Sequence, residues 1–436
     1  GYTRITIVQF GSAHLNIQGG IVMTVDQFVK RYSLDRKNST SLKWDLLGER
    51  FGDPDLIPMW VADMDFRTAE CVTDALHRRV SHGVYGYAYI PQSYYDSLFD
   101  WMESRYQFRP KKEWIRLATG VVAALYWFVN CYTEPGDHVM ISTPVYYPFA
   151  GAINDCGRKV VSCDLAYDSG HFSIDFDAFE NAIVENDVKM YILCSPHNPC
   201  GRVWTEEELD RLLSICAKHN VLVIADEIHQ DFVFGENKQI SAPAVSGGKY
   251  IDNIVLVNAA SKSFNLAALI HSNIIIPNDK LRAKYDAYAQ KHVETDFNIM
   301  GITATEAAYA CGAQWLTDLK KVIQANYDYI KASLAEKAPK IIVCDMQGTY
   351  LPMLDLRGMF DMNNPSHESV ILNGKAPVNG DIYNFAQIKC RLAVDYGEWF
   401  GENFGGFIRL NLATTPQTVK QVVDNIVKEY KALLGE

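Results

Sequence analysis

Paired-cysteine motifs are missing from this 436-residue chain: its ten cysteines are scattered, and no two form a C-x-x-C pair. That spacing argues against a clustered zinc centre. It favours free thiols packed as small hydrophobes in a reducing cytoplasm. Positive charge is also in short supply, with 41 Lys and Arg against 52 Asp and Glu and a net charge of −11. Nucleic acid and anionic membrane surfaces both call for a clustered basic excess, so neither partner is expected. No apolar run approaches the roughly 18 residues of a membrane span. A G-x-x-x-x-G-K-[ST] phosphate loop and a G-x-G-x-x-G fingerprint are both absent, which counts against nucleotide hydrolysis and dinucleotide binding.

What remains is the composition of a globular enzyme, 48% hydrophobic and 21% charged, with 12% aromatic residues including 24 tyrosines that suit walls around a flat ligand. The length points to two domains. Residues 1–22 lack the apolar core of a signal peptide. They read equally well as an appended leader before a native start at Met23 or as a genuine extension.

Through the middle of the chain, short β-rich runs alternate with amphipathic helical patterns. The expected strands are Ile115–Ala118, His138–Ser142, Lys159–Asp164, Lys189–Cys194, Val221–Asp226, Ile254–Ala259 and Ser272–Pro277. The clearest helices are Val121–Tyr132 and Thr205–His219, the latter opened by a Thr205-x-x-Glu208 capping box. Such alternation predicts an α/β fold with a largely parallel sheet, whose ligands sit beyond the carboxyl ends of the strands. After Pro277 the pattern changes to one long helical stretch, Ile302 to Ala338, then separate strands at Ile341–Asp345, Tyr350–Leu356 and Phe407–Leu412. A loop-like segment runs from Gly358 to Gly380, and a helix, Thr418–Leu434, closes the chain. This part reads as a smaller α+β domain. The expected division is residues 23–65 as a segment joining the small domain, 66–320 as the large cofactor-binding domain and 321–436 as the small domain.

Two strand ends carry the chemistry. Asp226 stops a buried apolar strand, and Lys262 follows 36 positions later between Ser261 and Ser263. A lysine there can form a Schiff base with the aldehyde of pyridoxal phosphate while the carboxylate keeps the pyridine nitrogen protonated, making the cofactor an electron sink. Apolar flanks would desolvate the lysine, lowering its pKa and freeing the nucleophilic amine. A strand ending in Asp-Glu also describes a magnesium-holding acid or a plain turn cap, and a lone lysine is ordinarily a solvated surface residue. Ser195-Pro196-His197-Asn198-Pro199-Cys200-Gly201 is a rigid loop in which Asn198 can donate to the cofactor's O3′. Gly120, Val121 and Val122 open a helix whose free N–H groups suit a phosphate. Tyr146 stands where it can stack on a ring or pack over the sheet edge. Arg409, alone on an apolar strand, suits a substrate carboxylate or a structural acid.

Together these segments resemble fold-type I pyridoxal phosphate enzymes of the class I/II aminotransferase superfamily. The branch they are most similar to is that of cystathionine β-lyase and other cysteine-S-conjugate β-lyases. The likeness runs from about Ser41 onward. Its branch-specific pieces are Leu42-Lys43-Trp44-Asp45, Leu56 to Phe66, Ser195 to Gly201, Asp226 to Asp231 and the Arg409 strand. The resemblance implies that Lys262 carries the cofactor, Asp226 pairs with the pyridinium, Asn198 bonds O3′ and Tyr146 stacks on the ring. His229 stands where many aminotransferases have a tyrosine. Gly120, Val121, Val122 and Ser261 would hold the phosphate, with Arg409 and the backbone near Ala62 taking the α-carboxylate. Tyr87 would be lent to the neighbouring site of a homodimer. Ala259, Ile270 and Ala268 depart from the hydroxyl, arginine and glycine common in relatives, which shifts phosphate binding toward backbone amides and Ser261. The implied reaction is β-elimination from an S-substituted L-cysteine to a thiol, pyruvate and ammonia. Amino transfer, which uses the same residues up to the carbanion, is the alternative, and a regulatory role by protein contact is a third reading.

Overall fold

The computed structural model describes residues 22–292 and 296–435. Nearly all of the expected extension, residues 1–21, lies outside that range.

Seven strands form the central sheet: β1 (Ile115–Ala118), β2 (His138–Thr143), β3 (Lys159–Asp164), β4 (Val188–Cys194), β5 (Leu222–Asp226), β6 (Ile254–Asn258) and β7 (Ser272–Ile275). Their spatial order is β1-β7-β6-β5-β4-β2-β3. Strands β3, β2, β4, β5 and β6 pair in parallel, whereas β7 is antiparallel to both of its neighbours. The expected mainly parallel sheet is therefore present, with each strand within two residues of its predicted ends. Period-two geometry explains why these runs are apolar throughout. Met190, Ile192, Ile224, Val255 and Val257 face one core, while Tyr191, Leu193, Val223, Ala225 and Leu256 face the other. Each such side chain contributes about 1.5–3 kcal/mol when fully buried.

Helix α1 (Val25–Tyr32) opens the described chain, and α2 (Glu70–His82) precedes the sheet. Helix α3 (Val121–Tyr132) covers one face through Leu125, Phe128 and Val129, and α4 (Glu206–Lys218) covers the other through Leu209 and Leu212. The capping box expected at the start of α4 is present, with Glu208 N–H donating to Thr205 Oγ1 (3.1 Å) and Thr205 N–H to Glu208 Oε2 (2.9 Å).

The single long helix expected over Ile302–Ala338 is two helices, α5 (Ile299–Cys311) and α6 (Ala313–Lys337), divided at Gly312. A Cβ on Gly312 would lie 2.3 Å from Phe264 Cε1. The chain bends around the Phe264 ring, which stacks on Trp315 at 5.7 Å. The later strands are shorter than expected. Strand β8 (Ile342–Val343), β9 (Met353–Asp355), β10 (Asp395–Tyr396) and β11 (Phe407–Arg409) make an antiparallel sheet ordered β8-β9-β11-β10. Pro352 has no N–H to give, so the ladder of β9 starts only at Met353. Helix α7 (Pro416–Leu434) closes the chain with Val419, Val422, Val423 and Ile426 buried.

A strap of residues 57–66 joins the two sheets. Ile57 and Pro58 pair with Leu392 and Ala393. Asn411 Nδ2 donates to the carbonyls of Val61 and Asp63, both at 2.6 Å. Asn265, three residues past the lysine, donates to the carbonyls of Met64 and Phe66, both at 3.0 Å. Buried Lys43 and the Trp44 indole bind Asp65 at 2.9 and 2.8 Å, so the two N-terminal motifs are halves of one contact.

Candidate active site

The carboxyl ends of β1, β2, β4, β5 and β6 converge, as parallel topology requires of strands that share a direction. A cavity of about 190 Å3 opens there. Gly120, Val121 and Val122 line it after β1, Tyr146 after β2 and Asn198 after β4. Asp226 and His229 come from the end of β5, Ser261 and Lys262 from the turn after β6, and Ala62 from the strap.

Lys262 Nζ donates to the Ala62 carbonyl at 2.7 Å. Desolvation, reinforced by the nearby Arg409 charge, lowers its pKa to about 8. The free amine is therefore accessible near neutral pH, as a carbonyl-trapping nucleophile requires. Asp226 is buried, and one of its oxygens accepts the Ile228 N–H at 3.0 Å. Burial raises this carboxyl to about 7, against the lowering effects of that N–H and of Lys262. Among the described residues no cation forms an ion pair with it. A cationic ring nitrogen would supply the missing charge. His229 is held neutral, pushed well below its ordinary value by burial and by the Lys262 and Arg409 charges; its Nδ1 is buried without a partner.

Gly120 caps α3 with no side-chain hydrogen bond, so the first N–H groups of a 12-residue helix are left open on the cavity side. Those groups are orphan donors by helix geometry and favour an anion. The turn holding the lysine is fixed from behind: Ser263 Oγ donates to Asp231, which also receives the Tyr106 hydroxyl and the Trp101 indole N–H.

Arg409 does not line the cavity wall, but it reaches one residue that does. Its Nη1 donates to Asn198 Oδ1 (3.0 Å), and its Nη2 to Asp395 Oδ2 (2.5 Å) and the Trp60 carbonyl (3.0 Å). The guanidinium lies 4.9 Å over the Phe400 ring, and its Nε has no partner. Of the two readings offered for this arginine, the structural acid is in place as Asp395, and Nε is the donor left over. Tyr87 is not brought to the cavity. It stands fully exposed on an arm, residues 83–91, together with exposed Tyr85 and Tyr89.

Several residues at the site were missed from sequence. The Tyr350 hydroxyl donates to the Ala62 carbonyl at 3.0 Å, the same oxygen that Lys262 uses. It follows a Gly-Thr turn, and no local spacing marks it. Cys194 and His271 line the cavity. Burial lowers His271 to about 4, and its Nε2 lies 2.7 Å from the Tyr94 hydroxyl. His271 directly follows Ile270, the position noted as departing from the relatives' arginine, which was the available signal.

Pyridoxal phosphate asks of a protein an amine, an anion for the ring nitrogen, a flat wall and phosphate donors. The residues fit that demand: a desolvated Lys262, an uncompensated buried Asp226, Tyr146 and an uncapped helix terminus face one cavity. The class this defines is a strand-end lysine–aspartate pocket on a mainly parallel sheet. Residues 54–426 match the model of the family "Aminotransferase class I and II", and the chain belongs to that family. Cystathionine beta-lyase PatB of Bacillus subtilis (strain 168) is 35% identical over 386 residues, covering 88% of this chain and 95% of that protein. Cystalysin from Treponema denticola, whose crystal structure contains pyridoxal 5′-phosphate, superposes with a TM-score of 0.84 at 31% identity, over 92% of this chain and 98% of that one. The PLP-bound C-S lyase from Staphylococcus hominis gives 0.83 at 30% identity, over 93% and 98%.

Proposed function

We propose that this chain is a pyridoxal 5′-phosphate-dependent carbon–sulfur β-lyase. It cleaves cystathionine or other S-substituted L-cysteines to a thiol, pyruvate and ammonia. The observation that carries the reading is the meeting of Lys262, Asp226 and the open terminus of α3 in one cavity, in a chain 35% identical to a cystathionine beta-lyase.

When bound, the cofactor draws electrons from the substrate's Cα, so that its proton becomes acidic and a β-substituent can leave with its electron pair. The protein supplies the rest. Asp226 gives the negative charge that a protonated ring nitrogen needs, and that pairing reverses its own upward shift. The N–H groups opening α3, with Ser261, hold the phosphate, and Asn198 and Tyr146 fix the ring. Arg409, steered by Asp395, takes the α-carboxylate and orients Cα. Lys262 Nζ, kept near a neutral state by burial, accepts the Cα proton. The sulfur then leaves Cβ as a thiolate in the cavity that Ala62 of the strap lines.

The exposed tyrosines of the 83–91 arm support a homodimer in which Tyr87 completes the partner's site. Ten unpaired cysteines support a reducing, cytoplasmic setting. The test is direct. Incubated with cystathionine and no keto acid, the enzyme releases free thiol and pyruvate in equal amounts. Turnover that depends strictly on a keto-acid acceptor overturns the lyase and leaves an aminotransferase.

A further inference from the structure

A second cavity lies away from the active site, between α2 and α5. It encloses about 570 Å3 and is lined by Cys71 and Cys311. Cys71 is the second residue of α2, and Cys311 is the last residue of α5. The two thiols converge on one backbone oxygen, the Ala307 carbonyl: Cys311 Sγ at 2.9 Å and Cys71 Sγ at 3.9 Å. They are close enough to interact directly. Cys311 is exposed and Cys71 half-buried, whereas every other cysteine except half-buried Cys156 is buried. None of this belongs to the lysine–aspartate machinery.

We infer that Cys71 and Cys311 form a redox-active thiol pair that small disulfides carrying amino-acid termini oxidise to an intramolecular disulfide. The cavity fits such a reagent in both size and charge. Arg78, Arg79 and Asp74 line it from α2 and Glu306 lines it from α5, so groups of both signs are present for carboxylate and ammonium ends.

The order of events follows from the surroundings of each sulfur. Cys311 is the attacking group, because it is the exposed sulfur of the two, and the Cys71 thiol and the Arg78 charge favour its thiolate against burial and Asp74. Cys71 is held protonated mainly by Cys311 itself, with burial adding to the effect. The Cys311 thiolate attacks one sulfur of the reagent RSSR, forming a mixed disulfide and expelling RS⁻, which takes up a proton. Once Cys311 is capped, the interaction that held the Cys71 proton is gone. The Cys71 N–H in the first turn of α2 remains to steady its thiolate. Cys71 then loses its proton and attacks the Cys311 sulfur, and a second RS⁻ leaves and is protonated. Overall, two protein thiols become one disulfide, and RSSR becomes two RSH.

The bond would tie together two elements that both reach functional parts of the chain. Helix α2 ends at Gly83, in the left-handed region at φ +75°, and runs straight into the tyrosine arm. Helix α5 carries Gly301 so close to His271 that a Cβ there would lie 2.6 Å from the histidine Cβ.

The experiment treats the holoenzyme with glutathione disulfide without oxygen and maps peptides by mass spectrometry. The expected result is loss of two hydrogens per chain, a Cys71–Cys311 crosslinked peptide and its disappearance with dithiothreitol. In Cys71→Ser, a glutathione adduct persists on Cys311. A stable glutathione adduct on Cys311 of the unsubstituted enzyme overturns the pairing. So does recovery of both thiols free under conditions that oxidise an exposed control thiol. Because the deciding arm uses the unsubstituted protein, a folding defect in the variant cannot mask the outcome.

Discussion

The two ends of the active-site cavity are built on opposite principles. At the arginine end, a buried charge arrives already paired: Arg409 is held by Asp395, Asn198 and the Trp60 carbonyl, with only its Nε left over. At the ring end, Asp226 is as deeply buried but has one backbone N–H and no paired cation, and burial lifts its carboxyl to about 7. A buried charge without a partner costs several kcal/mol unless it is neutralised, whereas a paired one is tolerated. The charge at the substrate end is therefore paired by the fold alone, and the charge at the ring end is paired only by a cation brought from outside.

The sharpest way to break this contrast is at the lysine that bridges the two ends. Lys262→Ala lowers the rate of thiol release by about 10^4-fold, the upper range for losing a positioned proton-transfer group, and abolishes the visible absorption of the cofactor. An absorption spectrum and a thiol assay on one preparation check both.

The next effect is on stability against pH. The Asp226 carboxyl has a raised pKa in the folded apo-protein, so the fold binds its proton more tightly than the unfolded chain does. This contribution is present below about pH 4 and is lost as pH rises through about 7, a swing of ~4 kcal/mol. Glu227, raised to about 8 by burial, acts in the same direction. The thermal midpoint of apo-protein thus falls over this range, and added pyridoxal phosphate restores more of it at pH 7.5 than at pH 5. In Asp226→Asn the apo slope flattens and the cofactor-dependent gain shrinks.

At the arginine end, Arg409→Lys keeps the charge but loses the fork that spans Asp395, Asn198 and Trp60. A rise in KM equivalent to about 2 kcal/mol is expected, with a smaller change in kcat. Steady-state kinetics separates the two. The smallest effect is Tyr350→Phe, which removes one of two donors on the Ala62 carbonyl. About 1 kcal/mol of stability is lost, measured by urea unfolding, with the lysine bond left in place.

Much of this was legible in the sequence because its signals are local. An apolar run that ends in Asp226, a Gly120–helix junction and a capping box at Thr205 each announce themselves within a few residues. The residues that went unseen act across distance. Tyr350 meets Ala62 from 288 positions away, and Asp395 reaches Arg409 only because their strands pair. The break at Gly312 escaped notice because helical periodicity continues on both sides, and its cause is the Phe264 ring far back in the chain. Asn265 and Asn411, which hold the strap over the lysine, lie inside the motifs of Lys262 and Arg409, but their role was not visible there because it lies in which carbonyls the fold brings to them.

The central claim is that the cofactor's aldehyde is bound at one amine opposite one aspartate. Borohydride reduction of the reconstituted protein, followed by peptide mapping, tests it most directly. The account predicts a single pyridoxyl group per chain, on Lys262. A label on another lysine, or no label on a folded protein saturated with cofactor, contradicts it.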